Sequence, residues 1–181
     1  KRDRLRELDA EIATLKSEFR DNLLQESNEA TVLVTDEADL DGVPQHLIDG
    51  AAKDAKDKDL DGWLFTANRI TLYPFLTTAK SREYRKQLYH AYTHRGCNGN
   101  EQDNRGLAQR IATLRLEKAQ ILGHDTYADY ALEDAMAKTH TQVLSFLDQI
   151  LTASSFTAKE EAAALTEYLE RDGIEGPLEA W

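Results

Sequence analysis

The stretch RLRELDAEIATLKSEFRDNLL, residues 4–24, carries the strongest structural signal in this sequence. Its apolar residues recur every three or four positions, with charged residues between them, at Leu5, Leu8, Ile12, Leu15, Phe19 and Leu23. This spacing places the six side chains along one side of an α-helix. Such a stripe occurs in coiled coils and in helices that pack against a bundle, and we expect the second arrangement here. The chain therefore opens with a long helix that buries one face.

Two short segments after this helix predict strands. Residues 31–35 (TVLVT) are β-branched, and residues 63–67 follow a turn at Asp61 and Gly62. We expect the two strands to pair, because a lone strand leaves its backbone groups without partners. Between them, the break at Gly42 and the proline at position 44 predict the start of a second helix. Its expected apolar side consists of Leu47, Ile48, Ala51 and Ala55.

The segment RITLYPFLTTA, residues 69–79, has no clear period. Pro74 disfavours a central strand, so we expect an edge strand or a packed loop. Beyond it the chain predicts only helices, over residues 81–94, 105–123, 125–138, 142–156 and 157–173, the fourth capped by Thr139 or Thr141. The prediction is a mainly α, bundle-like fold with one two-stranded β element, in which residues 1–181 form a single helical segment.

Composition restricts the class of partner. The 181 residues are 41% hydrophobic and 30% charged, which is typical of a globular chain. Their formal net charge of -11 disfavours binding to nucleic acid and to anionic membranes, and we expect neither as a partner. No apolar run approaches the ~20 residues that span a bilayer. A single cysteine, Cys97, favours a reducing compartment, so we expect the cytoplasm.

The sequence HAYTH, residues 90–94, has the histidine spacing of the zinc-peptidase motif H-E-x-x-H. On a helix, His90 and His94 would lie on the same side, where two imidazoles could bind one metal ion weakly. Ala91, however, occupies the position of the glutamate that acts as general base in that motif. We therefore expect a solvated helix flank rather than a catalytic zinc site.

No other segment completes a catalytic constellation. His46, His124 and His140 are isolated and are interpreted as cap or surface residues, and Cys97 lies in a polar loop. The chain contains neither a Gly-rich phosphate loop nor a G-x-S-x-G motif. The prediction from the residues is that this chain supplies no catalytic, cofactor-binding or metal-binding side chain.

Several motifs in combination resemble a known family. They are the L-x-G-x-P turn at residues 40–44, the helix L-R-x-E-K-A-x-x-L-G at 114–123, and the pair Y-A-x-Y and M-A-K-T at 127–130 and 136–139. The chain from about Asp36 to Trp181 resembles the zinc metallopeptidases that include thimet oligopeptidase and peptidyl-dipeptidase. The loop RGCNGNEQDN, residues 95–104, is more similar to the peptidyl-dipeptidase branch (dipeptidyl carboxypeptidases).

The resemblance implies a segment of a longer enzyme, upstream of the zinc-binding motif. The whole enzyme would use zinc, bound outside this chain, to hydrolyse short peptides, and the favoured branch would release dipeptides from the substrate C-terminus. This segment, inactive alone, would form part of a helical wall beside the substrate channel.

Two alternatives remain open at this point. One is a free-standing helical protein-interaction module, suggested by the heptad-like first helix. The other is a small metal-binding protein built on His90 and His94. In addition, a segment isolated from the rest of an enzyme can self-associate through exposed apolar surface without functional meaning.

Overall fold

The computed structural model describes residues 1–174 and 176–181, and these are mainly helical. It confirms the predicted fold class: 68% of the chain is helical, with seven helices and one small antiparallel sheet in the described residues. The strands are β1 (Thr31–Val34) and β2 (Trp63–Thr66), and a 3₁₀ turn covers Glu37–Leu40. The helices are α1 (Arg2–Glu29), α2 (Gln45–Asp57), α3 (Arg69–Thr78), α4 (Arg82–Thr93), α5 (Arg105–Leu122), α6 (Tyr127–Leu132) and α7 (His140–Arg171).

The two predicted strands pair with each other. β1 and β2 run antiparallel, with Val32 opposite Phe65 and Val34 opposite Trp63. Helices pack against both strands, α2 on β2 and α4 on β1. The prediction that a lone strand would find a partner is confirmed, and this pair forms the centre around which the nearby helices assemble.

Around this sheet lies a compact core. The rings of Phe65 and Phe75 meet edge to face, with their centroids 4.9 Å apart, a favourable aromatic geometry. Leu88, on α4, is 1% exposed. The buried members of this cluster are Val32, Val34, Leu40, Val43, Ala51, Phe65, Ala67, Leu72, Phe75, Ala79 and Leu88.

The chain divides into two compact units. One comprises Glu11–Ile111 together with Trp181, and contains the sheet and the core just described. The other comprises Lys1–Ala10 and Ala112–Ala180. In this second unit the first turns of α1 are tied to α5 by charged side chains. Arg4 Nε lies 2.7 Å from Glu117 Oε1, and Lys118 Nζ lies 2.6 Å from Asp9 Oδ1.

The stripe on α1 is confirmed as a packing face. Leu8 and Ile12 are buried, and the other four stripe residues are partly buried. On α5, Ile111, Leu114 and Ala119 are buried, whereas Leu122 is exposed. Leu122 is the last residue of α5, where the chain turns away at Gly123.

The expectation of a strand or loop at residues 69–79 is wrong, because this segment forms α3. The Asn68 side chain caps the helix by accepting hydrogen bonds from the backbone N–H groups of Ile70 and Thr71. Pro74 lies at the sixth helical position, where it removes one N–H donor. Leu72 and Phe75, on either side of it, are buried in the core. Burial of this apolar face therefore outweighs the cost of the proline.

Two further boundaries differ from the prediction. α6 begins after the cap residue Thr126 and ends at Leu132, so it is far shorter than residues 125–138. Thr139 caps α7, as one of the two predicted alternatives, by accepting the N–H of Gln142. The helices predicted over 142–156 and 157–173 are one continuous helix of 32 residues, because the segment contains no glycine or proline that would interrupt it. No helix in the described part of the chain is long and apolar enough to cross a membrane.

Candidate functional site

His90 and His94 lie at the end of α4, where the sequence suggested a zinc-like spacing. His90 belongs to the last turn, and His94 is the residue that caps the helix C-terminus. Their ring centroids are 5.0 Å apart. His94 Nδ1 lies 3.1 Å from the backbone carbonyl oxygen of His90 and 3.2 Å from the hydroxyl of Thr93. One nitrogen of His94 is thus occupied by local contacts, and the side chain is exposed.

An indole ring covers the other histidine. The Trp181 ring centroid lies 4.9 Å from that of His90 and 5.5 Å from that of Tyr89. Lys86 Nζ lies 5.8 Å from the centre of the same indole, a cation–π contact. Besides His94, the ring neighbours of His90 are therefore Trp181 and Tyr89, neither of which is a usual zinc ligand.

The zinc that the resemblance implies does not fit the side chains of this chain. Catalytic zinc requires three protein ligands, drawn from His, Cys, Asp and Glu. Across residues 1–174 and 176–181, no three such side chains are grouped closely enough to hold a metal ion. The sequence also has no H-E-x-x-H motif. No chemical step can be assigned to a metal at these residues.

The remaining histidines lie in separate places. His140, at the start of α7, places Nδ1 2.6 Å from Asp129 Oδ1. Hydrogen bonds from Thr126 and then from His140 hold the pKa of Asp129 below its ordinary value. His124 Nε2 lies 3.7 Å from Glu133 Oε2, a weaker contact. His46 is on α2. These arrangements position helix ends and do not assemble reactive groups.

The most developed polar site was missed by the sequence analysis. Glu26, on α1, is 4% exposed, and its carboxylate receives three hydrogen bonds from the loop between α4 and α5. The donors are the backbone N–H of Gly96, the Asn98 side chain at 3.0 Å and the Asn100 side chain at 2.5 Å. Burial alone would raise the pKa of Glu26, but the hydrogen bonds from Asn98, Gly96 and Asn100 outweigh it, and the pKa lies below its ordinary value.

Asn104 fixes the other end of the same loop. Its backbone N–H donates to the carbonyl of Gly96 at 2.8 Å, closing residues 96–104 into a ring. Its side-chain amide donates to the Phe19 carbonyl at 3.0 Å and accepts a hydrogen bond from Asn22 at 3.0 Å. Asn104 is 4% exposed. The polar loop is thereby attached to α1 at both ends.

A signal for this site exists in the sequence. Continuing the α1 stripe by three residues from Leu23 reaches Glu26, so a carboxylate occupies a position that the spacing assigns to the core. Buried carboxylates require hydrogen-bond partners. The asparagine-rich loop supplies them, so the buried carboxylate and the loop form a pair that connects α1 to the segment between α4 and α5.

Comparison with known proteins decides the family. The model of peptidase family M3 matches residues 75–181, more than half of the chain. The chain belongs to peptidase family M3. Oligopeptidase A of Haemophilus influenzae is 32% identical over 185 residues, which cover all of this chain and 27% of that relative. Dipeptidyl carboxypeptidase of Escherichia coli is 32% identical over 169 residues, covering 93% of this chain and 25% of that relative.

These matches confirm the resemblance seen in the sequence and extend it to the first helix. The chain spans about a quarter of the length of the curated relatives that it matches. An oligopeptidase A and a dipeptidyl carboxypeptidase both match at 32% identity, so the preference for the peptidyl-dipeptidase branch stays a prediction. The more distant saccharolysin of Saccharomyces cerevisiae is 28% identical over 149 residues, 81% of this chain and 20% of that relative.

Proposed function

We propose that this chain is a non-catalytic helical portion of a longer zinc metallopeptidase that hydrolyses short peptides. The observation that carries the proposal is the family match over residues 75–181, in a chain that spans only about a quarter of its relatives. The relatives are named as peptidases, and their remaining length is where a catalytic motif would lie. Residues 1–181 would then be one helical segment of that enzyme, upstream of the zinc site.

Among residues 1–174 and 176–181 no three potential ligands are grouped, which supports a non-catalytic role for this segment. His90 and His94 are the only histidine pair with zincin spacing, and Trp181 covers one of them. A hydrolytic mechanism of this family would need a zinc-bound water and a general base. We infer that both are supplied outside residues 1–181 and that this chain alone binds no zinc and hydrolyses nothing.

We further propose that the helices form part of the wall beside the substrate channel. A mainly helical segment with a rigid two-stranded core can restrict a channel to short, unfolded peptides by size. The finer activity, release of C-terminal dipeptides, is supported by the relative named dipeptidyl carboxypeptidase and by the similarity of the loop at residues 95–104 to that branch. The single cysteine supports a reducing compartment, and we propose the cytoplasm.

The proposal is tested by a chimera in which this chain replaces the matched 185-residue region of Haemophilus influenzae oligopeptidase A. The chimera and the chain alone are incubated with a set of unstructured peptides, and the products are identified by mass spectrometry. We expect zinc-dependent hydrolysis by the chimera and none by the chain alone. Because the catalytic part of the chimera comes from oligopeptidase A, a shift towards consecutive dipeptides from the C-terminus would support the dipeptidyl carboxypeptidase activity, whereas cleavage identical to that of the intact relative would count against it.

Two results would contradict the proposal. One is peptide hydrolysis by the isolated chain at a rate similar to that of the chimera, which would place the catalytic groups within residues 1–181. The other is a folded, zinc-loaded chimera without activity, which would remove this chain from the peptidase.

A further inference from the structure

α7 exposes apolar side chains along most of its length. None of its 32 residues is buried. Large apolar side chains on it are between 48% and 68% exposed, whereas soluble chains normally keep such exposed patches small. They are Leu144, Phe146, Leu147, Ile150, Leu151, Phe156, Leu165 and Tyr168. No residue of this helix is therefore fully covered by the rest of the described chain, and most of its large apolar side chains are exposed.

Most of these side chains lie on the same side of the helix. At 100° per residue, the positions 143, 144, 146, 147, 150, 151, 165, 168 and 169 fall within an arc of about 160°. We call this arc the α7 apolar face. The opposite side carries mainly polar groups, among them Asp148, Gln149, Thr152 and Glu167. This division is typical of a helix that packs against another apolar surface.

The middle of the α7 apolar face is made of small residues. Ser154, Ala158 and Ala162 lie on the same arc, between two groups of larger side chains. From Leu147 to Leu165 the helix rises by about 27 Å, at 1.5 Å per residue. Helices that cross closely need an axis separation of about 8–10 Å, which small side chains permit. The face thus has room for a helix crossing at its centre, flanked by larger contacts on both sides.

Charge argues against a second copy of this chain as the occupant. α7 carries the acidic residues Asp148, Glu160, Glu161, Glu167 and Glu170, against the two basic residues Lys159 and Arg171. Glu161 lies on the apolar arc itself, between Ala158 and Leu165. Pairing two such helices would bring like charges together, in a chain whose net charge is already -11. A partner with basic groups beside its apolar surface fits better.

The family comparison identifies a source for that partner. All of α7 lies within the region matched to peptidase family M3, and 73% of the Haemophilus influenzae relative lies outside the matched part, since the match covers 27%. We propose that the α7 apolar face is the surface on which the remaining part of the M3 polypeptide packs, through apolar helices that carry basic residues. This inference rests on the proposed function, because it takes the chain to be one portion of a longer peptidase.

The test measures binding in trans. The full 181-residue chain is mixed with the part of Haemophilus influenzae oligopeptidase A that follows its matched region, and complex formation is followed by isothermal titration calorimetry and by light scattering. The double variant Leu147→Glu with Leu151→Glu places two carboxylates on the α7 apolar face. The control, Gln149→Glu with Thr152→Glu, adds the same charge to the opposite side of the same turns, where both side chains are exposed.

We expect the wild-type chain and the control to bind with similar affinity, and the Leu147/Leu151 variant to bind at least about 100-fold more weakly, because it buries unpaired charge. Circular dichroism checks that the variant remains helical, as expected for exposed positions. Equal binding of all three chains, or no binding by the wild type, overturns the inference. A dimer of the isolated chain that only the Leu147/Leu151 variant dissociates, without binding to the relative, would make a second copy the occupant and also overturn it.

Peptide hydrolysis in the same mixtures separates this inference from the proposed function. A complex that depends on Leu147 and Leu151 but hydrolyses no peptide would support the interface and contradict the peptidase role. Hydrolysis that is equally restored by the wild-type chain and the Leu147/Leu151 variant would support the peptidase role and contradict the interface.

Discussion

The Glu26 carboxylate on α1 accepts a hydrogen bond of 3.0 Å from the side chain of Asn98, a residue 72 positions further along the chain. The Gly96 N–H and the Asn100 side chain donate to the same buried carboxylate. A helix that the sequence marks as apolar thus uses one charged side chain to fix the loop between α4 and α5. Because the carboxylate is buried, removing it would leave each of these donors without a hydrogen-bond partner.

Replacing Glu26 by glutamine is expected to lower the free energy of unfolding by about 2 kcal/mol, since an amide donor would then face the N–H groups that the carboxylate now accepts. Urea titration followed by circular dichroism at neutral pH measures this difference. Glu18→Gln is the matched control, because Glu18 is exposed on the same helix and its replacement should change stability little. Equal effects of the two variants would show that the Glu26 hydrogen bonds contribute nothing specific.

The contribution of Glu26 should depend on pH. Its folded-state pKa lies below the ordinary value of 4.5, so the folded chain binds the proton less readily than the unfolded chain. The stabilisation is therefore complete above about 4.5 and is lost as pH falls through the lower folded pKa. We expect the stability difference between the wild type and Glu26→Gln to shrink over this acidic range in urea titrations. A difference that stays constant down to acid unfolding would contradict this assignment.

Gly62 and Gly50 should respond to alanine in opposite directions. Gly62, at the turn into β2, has φ +122°, and a Cβ atom there would lie 2.3 Å from the Val34 carbonyl oxygen. Gly62→Ala should cost at least about 2 kcal/mol, because backbone atoms must move. Gly50, on the exposed side of α2, has no atom within 4 Å of such a Cβ. Gly50→Ala should add about 0.5–1 kcal/mol. Thermal and urea unfolding measure both, and a tolerated alanine at position 62 would refute the predicted close approach.

Zinc should contribute nothing to the stability of this chain. No three potential ligands are grouped within the part of the chain that the structure describes, and Trp181 lies against His90. We expect the unfolding temperature to be the same with EDTA and with a small excess of zinc. His90→Ala should not change any weak zinc affinity seen by calorimetry. Tight binding that His90→Ala abolishes would instead favour the small metal-binding protein.

Local spacing predicted the elements that have a strong period or a distinct terminus. The stripe from Leu5 to Leu23 predicted α1, and the β-branched residues 31–35 predicted β1. Each of these signals lies within a few residues of the structure that it forms, because helix and strand periods are properties of the local backbone. The motifs from residue 40 to 139 predicted the family by their resemblance to it, and the match to peptidase family M3 confirmed that prediction.

Other features depended on contacts that are distant along the chain. Pro74 made residues 69–79 look unlike a helix, but the Asn68 cap and the burial of Leu72 and Phe75 outweigh the lost hydrogen bond. The stripe on α1 reaches Glu26, but the hydrogen-bond partners of its carboxylate were not visible, since they lie 70 to 74 positions away. The spacing of His90 and His94 predicted a solvated flank, while the contact with Trp181 appeared only in three dimensions.

By itself, the sequence determined the helical class and the two strands, because each follows from residue types at short, regular spacing, and its motifs resembled the family that the comparison then confirmed. Only the tertiary structure decided which of the charged and apolar side chains find partners. It places the Glu26 carboxylate among three donors and leaves the apolar face of α7 without a buried residue. Burial and pairing depend on which distant segments of the chain come into contact. The free energy of such a contact depends on residues far apart in the sequence, so no local pattern predicts it.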